Sequence, residues 1–321
     1  MFLAPILMHI PDGFLSTLVA LVFWLISILV IGLAIRRTSR GIGEREVPLM
    51  GVLAAAIFAG QMLNFTVAGG TSGHLLGAAL ATILLGPWPA VLVMTAVVGV
   101  QALLFQDGGL LALGANIFNM AVIGVFVSYA IYTLVNRIAK GQSWGIFFGG
   151  FLAAWTSIFI ASLSAALQLA LSGTSPANLA IPAMAAVHAL IGIGEGLITT
   201  GALSFIFASR RDLLKKNESG SVGNKSILVG GLTIALILAV LSPLASTHPD
   251  GLEKVAEQQG FLQSAQSPLF KLIPDYLLPG IPNQKLATIM AGILGVMIVF
   301  VVVFFFSKNR RSSTTRKEKP K

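Results

Sequence analysis

The 321-residue sequence contains no cysteine. That absence excludes disulfide frameworks, zinc-thiolate centres, iron-sulfur clusters and thiol nucleophiles, and it removes redox chemistry as a guide to compartment. Charge is nearly as scarce, at 10% of residues against the roughly 25% of soluble domains, which excludes an ordinary soluble fold. Of the twelve acidic residues only Glu195 falls deep inside an apolar run. Phosphate-cradling loops are missing too: Gly220-Ser-Val-Gly-Asn-Lys-Ser226 lacks the glycine before Lys225 that lets backbone amides wrap a phosphate. The run Gly192-Ile-Gly194-Glu-Gly196 lies within an apolar segment, where glycines serve close helix packing and not a dinucleotide turn. No H-E-x-x-H pair supports a membrane metalloprotease. These absences describe a chain that is not an enzyme, holds no cofactor, and draws any energy it uses from another subunit.

What remains is hydrophobic: 55% of residues, with a mean hydropathy of +0.87. The bilayer is therefore the main solvent, and a chain in lipid satisfies its backbone by crossing as helices. Nine apolar runs are expected to do so, at 14 to 35, 47 to 66, 75 to 86, 90 to 105, 115 to 135, 144 to 171, 180 to 208, 226 to 243 and 286 to 306. The fold class is all-α and polytopic, with seven helices in a first unit and two in a hairpin. Gly86-Pro87-Trp88-Pro89 separates the third and fourth runs and reads as a tight hairpin.

The basic residues set direction. Eighteen of the 21 fall in alternate connections or the tail, among them Arg36, Arg37, Arg45, Arg137, Arg210 and Arg211, leaving Lys254, Lys271 and Lys285 on the other side. Cations collect in cytoplasmic loops, so the N-terminus is expected outside and the C-terminus inside a plasma (inner) membrane. The basic tail then belongs to topogenesis or anionic lipid, and a nucleic-acid partner is rejected. Composition divides the chain into a membrane unit at 8 to 210, a linker at 211 to 225, a helical hairpin at 226 to 306 whose outward connection at 244 to 285 is long and polar, and a basic tail at 307 to 321.

Three of the four histidines, His9, His74 and His188, fall at outward ends of spans. Imidazole suits nickel, cobalt, copper and zinc. His9 directly follows Met8, itself able to start translation. With Met8 as the first residue, its amine, the His9 backbone nitrogen and a His9 ring nitrogen chelate one metal in fused five- and six-membered rings. His74, after the flexible Gly69-Gly70-Thr71-Ser72-Gly73, is the fourth ligand. Asn64, Gln101, Asn116 and His188 lie near the same side and are candidates to orient the ligands, whereas Glu195 reads as a buried hydrogen-bonding residue. The small residues Gly51, Ala55 and Ala59 form a stripe that serves either a sliding coupling protein or internal packing.

On these residues the sequence resembles the CbiM/NikM family, the metal-binding substrate components of energy-coupling factor (ECF) transporters for cobalt and nickel. The resemblance rests on Met8-His-Ile-Pro-Asp-Gly-Phe14, Pro48-Leu-Met-Gly-Val-Leu-Ala-Ala-Ala56, Gln61-Met-Leu-Asn-Phe65 and Gly69-Gly-Thr-Ser-Gly-His-Leu-Leu-Gly77. It continues through Gln101-Ala-Leu-Leu-Phe-Gln-Asp-Gly-Gly109, Gly114-Ala-Asn-Ile-Phe-Asn-Met120 and His188-Ala-Leu-Ile-Gly-Ile-Gly-Glu195. Pro249-Asp-Gly-Leu-Glu253 resembles the PDGLE domain of the companion N-type subunit, so the chain looks like an M-N fusion. The family implies Met8 (amine), His9 and His74 as ligands of a transported Co(II) or Ni(II). It further implies a transmembrane coupling (T) protein and cytoplasmic ATPase (A) subunits as partners. Residues 1 to 7 precede the family start, and a start at Met8 is expected. The rival reading is a stand-alone secondary metal-ion transporter using His188 and Glu195 as a relay. Nothing in the donor set separates cobalt from nickel.

Overall fold

A computed structural model of the chain describes residues 8–39, 43, 45–214 and 224–317. Residues 1–7 and most of the polar linker, 215–223, lie outside the described residues. The helices in chain order are α1 (Thr17–Thr38), α2 (Glu46–Gln61), α3 (Ala78–Leu85), α4 (Pro87–Val100), α5 (Leu113–Ile117), α6 (Gly124–Ile138), α7 (Ser143–Leu171), α8 (Ala177–Ser209), α9 (Asn224–Leu241), α10 (Gly251–Gln259) and α11 (Gln284–Lys317). Two short strands, β1 (Phe65–Val67) and β2 (Thr71–Gly73), pair antiparallel between α2 and α3, with Phe65 opposite Gly73. This is an all-α polytopic membrane protein.

Nine apolar runs were expected to cross; among the described residues seven helical stretches are long and apolar enough to do so. The run at 47 to 66 yields only the 16-residue α2 and the run at 75 to 86 only the eight-residue α3. At about 1.5 Å per residue neither traverses a hydrocarbon core of about 30 Å alone. Both are screened by other helices: α2 is buried along nearly its whole length, and α3 packs among α4, α6 and α7. The proline pair also acts differently from the expectation. Gly86 alone makes the turn, at φ 83°, and Pro87 and Pro89 lie in the first turn of α4, where a missing N–H leaves no bond unmade.

Two stretches of wider, π-helical backbone interrupt the helices: Gln101–Phe105 after α4, and Phe118–Ile123 between α5 and α6. Such stretches are frequent at functional sites.

The larger core gathers Met50, Phe58, Met94 and Val98 of α2 and α4 with Val296 and Val299 of α11. The C-terminal hairpin therefore sheathes α2. Gly51, Ala55 and Ala59 are buried there, and a Cβ on Gly51 would stand 3.1 Å from the Phe300 ring, so the small-residue stripe serves internal packing. A smaller outer core joins Ile10 and Phe14 to Leu169, Met184 and the apolar face of α10 at Leu252 and Val255. It brings the N-terminal segment, the C-terminal end of α7, the N-terminal end of α8 and the hairpin's long connection to one place.

Candidate metal site

The N-terminal segment is shaped by hydrogen bonds to its backbone. Asn116 on α5 clamps Ile10 from both sides: its Oδ1 accepts from the Ile10 amide at 3.0 Å, and its Nδ2 donates to the Ile10 carbonyl at 3.0 Å. The Asp12 carboxylate accepts from the amides of Leu110, Leu111 and Ala112 at 3.0, 2.8 and 3.0 Å, meeting the unpaired donors ahead of α5. Gly13 turns the chain at φ 93° into space where a Cβ would stand 2.0 Å from the Ser264 carbonyl oxygen. His9 is thereby held in the interior, only 4% exposed, with Met8 buried beside it.

The second loop is anchored from below. His74 follows β2, and the next two amides, of Leu76 and Gly77, donate to the Glu195 carboxylate at 2.7 and 3.0 Å. Gly77 then enters α3 with φ 78°. Both oxygens of Glu195 are thus occupied by backbone donors, as expected of a structural residue. Gln61 adds a bond from its Nε2 to the Leu76 carbonyl at 2.9 Å.

These two anchored segments bring the His9 and His74 rings to a centroid distance of 5.4 Å at 83°. An ion about 2 Å from one nitrogen of each of two imidazoles places their centroids roughly 4.5 to 6.3 Å apart, a range that includes the observed distance. His9 Nδ1 lies 3.1 Å from Asp107 Oδ1 and 3.3 Å from the Asp107 carbonyl oxygen, while its Nε2 is buried without a partner. His74 Nδ1 lies 3.2 Å from Asp250 Oδ1. A cavity of about 80 Å³ opens beside both rings and continues to His188, Met120 and Met184. Among the described residues no three His, Asp or Glu side chains converge to enclose a metal. Two imidazoles therefore need further donors, and main-chain nitrogens at Met8 and His9 are the nearest in sequence.

Burial alone would lower the His74 imidazole, but the charge and hydrogen bond of Asp250 outweigh it and raise the ring above the ordinary histidine value. Burial would raise Asp107, yet His9 and the Tyr276 hydroxyl hold it below the usual carboxylate range. Tyr276 donates to Asp107 Oδ2 at 2.7 Å, and burial with that same carboxylate pushes the phenol far above its ordinary value.

Of the four residues expected to orient the ligands, Asn116 and His188 border the cavity beside the two rings, and Asn64 and Gln101 do not. Asn116 holds Ile10; His188 lines the cavity with Nδ1 bonded to the Met184 carbonyl at 2.9 Å; Gln101 lies beside the Tyr276 hydroxyl; and Asn64 accepts the Ser246 amide on its backbone carbonyl at 2.8 Å. None of them bonds the His9 or His74 ring. The groups that do, Asp107 and Asp250, stand 98 and 176 residues from their histidines. The only trace of them in the sequence was an acidic residue in each of two short motifs, Gln106-Asp107-Gly108 and Pro249-Asp250-Gly251.

Residues 9–213 match the CbiM family, described as a cobalt uptake substrate-specific transmembrane region, and residues 225–311 match the PDGLE domain. An Archaeoglobus fulgidus protein, NikMN, named as a fused nickel transport protein, is 37% identical over 295 residues, covering 91% of this chain and 95% of its own. A Haloquadratum walsbyi protein named as a metal transport protein is 44% identical over 209 residues, 64% of this chain and 93% of its own. A crystal structure described as a truncated transition metal transporter aligns at a TM-score of 0.56 with 35% identity, covering 63% of this chain and 99% of the other.

Proposed function

This chain belongs to the CbiM family and carries a PDGLE domain, and we propose that it is the substrate-binding membrane subunit of an ATP-driven ECF-type importer for Co(II) or Ni(II). It is a multi-pass membrane protein of the cobalt and nickel transport class. In the proposed arrangement the membrane unit at 8 to 210 captures metal on the outer face, the linker at 211 to 225 and the tail at 307 to 321 are cytoplasmic, and the hairpin at 226 to 306 acts on loading. Separate T and A subunits supply the energy, reorienting the metal-loaded unit toward the cytoplasm.

The observation that carries the reading is the pairing of His9 and His74, 5.4 Å apart, with His74 Nδ1 bonded to the Asp250 carboxylate and His9 Nδ1 facing the Asp107 carbonyl and carboxylate. We assign the two imidazoles and the Met8 and His9 main-chain nitrogens as donors, a set accepted by tetragonal Ni(II). The six-membered chelate ring closes only through His9 Nδ1, the nitrogen now facing Asp107. Forming it requires the imidazole to turn about Cβ–Cγ and exchange Asp107 for the ion. The Met8 amine takes part when Met8 is the first residue, which the intact mass of the natural protein reports.

The test reconstitutes the chain in vesicles. Alone it should bind Ni(II) or Co(II) without accumulating it, and addition of T and A subunits with internal ATP should produce uptake. Gradient-driven accumulation by the chain alone, lost in Glu195→Gln, would favour the relay transporter instead. The bonds from Glu195 to Leu76 and Gly77 argue against that outcome, because they use the carboxylate to hold the metal loop. Competition between the two ions on the reconstituted protein settles which is preferred.

A further inference from the structure

The PDGLE motif reads as five separate tasks at one contact. The Pro249 carbonyl accepts from the Ser72 amide at 2.8 Å, and the Ser72 hydroxyl donates to the neighbouring His248 carbonyl at 2.8 Å, so β2 is docked on the motif immediately ahead of His74. Gly251 lies against the His188 and Ile191 side chains, where a Cβ would stand 2.9 and 2.8 Å away, so a larger residue would have to push one of them aside. Leu252 enters the outer core. Glu253 stands at the third position of α10, the place of the acidic member of a capping box.

Asp250 is the odd member. It occupies the N-cap of α10, where an aspartate ordinarily accepts from the second or third amide of the helix. Here its side chain makes no such bond; it is 2% exposed and turned to His74 Nδ1. A buried carboxylate diverted from its local task requires a partner that repays desolvation, and the imidazole is that partner.

We propose that Asp250 is a positioning residue for the metal ligand His74, acting across the two units of the chain; the inference rests on His74 being a ligand. By accepting from Nδ1–H, Asp250 fixes the neutral ring in the tautomer whose bare nitrogen is Nε2. It also holds the ring's orientation toward His9 and the cavity they share. The C-terminal unit thus tunes the metal site without supplying a ligand.

The test uses the full chain in lipid nanodiscs, with Ni(II) affinity measured against a competing chelator and the His74 tautomer read by ¹⁵N-histidine NMR at a pH where the ring is neutral. Asp250→Ala should weaken Ni(II) binding by about 10- to 100-fold, the usual effect of losing a partner to a ligating histidine, and should release His74 into a mixture of tautomers. Asp250→Asn, whose amide oxygen accepts the same proton, should keep the Nδ1–H tautomer and most of the affinity. His74→Ala separates the two levels of inference. If it binds Ni(II) as the parent does, the site is misplaced and the role of Asp250 falls with it. If it loses binding while Asp250→Ala keeps both parental affinity and parental tautomer, the site stands and the positioning role is overturned. Should Asp250→Ala fail to fold, an Nε2–H tautomer in the parent, or loss of binding in a folded Asp250→Asn, overturns the proposal equally.

Discussion

The C-terminal unit meets the rest of the molecule in two unlike ways. In the membrane, α9 and α11 press on α2 through glycines and aromatic rings: a Cβ on Gly231 would stand 1.9 Å from Val52, and one on Gly295 would stand 2.1 Å from the Phe58 ring. That contact is dominated by close packing of the kind that holds helices together in lipid, with one buried side-chain bond beside it, from the Ser307 hydroxyl to Met50 Sδ at 3.4 Å. At the other contact, the connection between the same two helices meets β2, His74 and Asp107 through directed bonds: Ser72 donates to the Pro249 and His248 carbonyls, His74 Nδ1 pairs with Asp250, and the Tyr276 hydroxyl donates to Asp107. Shape complementarity places the unit, and hydrogen bonds set what its outer end does. Neither contact supplies a metal donor under the assignment above, so ligation and support are carried by different units.

The sharpest way to break this division is at the ligands. His9→Ala and His74→Ala should each abolish measurable Ni(II) binding by isothermal titration, whereas His248→Ala should leave it intact. The reason is structural: His248 takes part through its main chain, its carbonyl accepting from Ser72 and its amide donating to Ser246 Oγ. Equal loss from His248→Ala would show that the C-terminal unit contributes a donor after all.

Next in size is the membrane contact. Gly295→Val places two methyl groups where the Phe58 and Phe105 rings already meet, and overpacking of this kind costs about 1–3 kcal/mol. Thermal unfolding should shift downward while Ni(II) affinity in the protein that remains folded stays near the parent's. A matching loss of affinity would mean that α11 packing and the outer site are coupled. A smaller effect is expected at the outer contact itself. Ser72→Ala removes one buried hydroxyl bond, worth about 1 kcal/mol, and should quicken amide exchange in α10 without altering the thermal transition of the helices.

How much of this was legible in the sequence follows the same division. Hydropathy revealed α1, α7, α8, α9 and α11, together with α4 as continued to Phe105 and α5 as continued into α6, because each of these stretches is long enough to declare itself; the runs at 47 to 66 and 75 to 86 outran the helices they hold, the 16-residue α2 and the eight-residue α3, because a helix buried by its neighbours is as apolar as one that spans. Glu195 was read as structural from its depth in an apolar run, and its bonds to Leu76 and Gly77 agree. His9 and His74 stood out because imidazole is rare in this chain. Asp107, Asp250 and Tyr276 did not, because their meaning lies in partners about a hundred residues away or more, and no periodicity encodes such a pairing. Asn64 and Gln101 were singled out by residue type and side of the membrane alone, too coarse a filter to find which polar groups touch a ring.

The weakest expected effect concerns Glu253, and it tests whether the outer contact responds to pH independently of the ligands. Burial raises its carboxyl to about 7, with Glu257 and Asp250 adding to the rise and the Asp250 amide opposing it. In an undocked chain the same group titrates near about 4.3. Between those two values the docked loop keeps a proton that the undocked loop has lost, so docking is strongest at the acid end of the window, weakens as pH climbs through it, and levels off above about 7. Glu253→Gln should remove that slope. Glutamine still serves the third position of a capping box, so the loss of charge is isolated from the loss of a cap. The side chain borders a cavity of about 540 Å³ shared with Asp12 and Asp275, and screening there keeps the expected change small, about threefold in the opening of α10. Hydrogen-exchange mass spectrometry at about pH 8 should therefore find α10 better protected in Glu253→Gln than in the parent, with the two alike near about pH 5. Reduced protection of the variant at both pH values would mean that the carboxylate is ionised and bonded in the docked loop, and that the outer contact is strengthened, not weakened, by its charge.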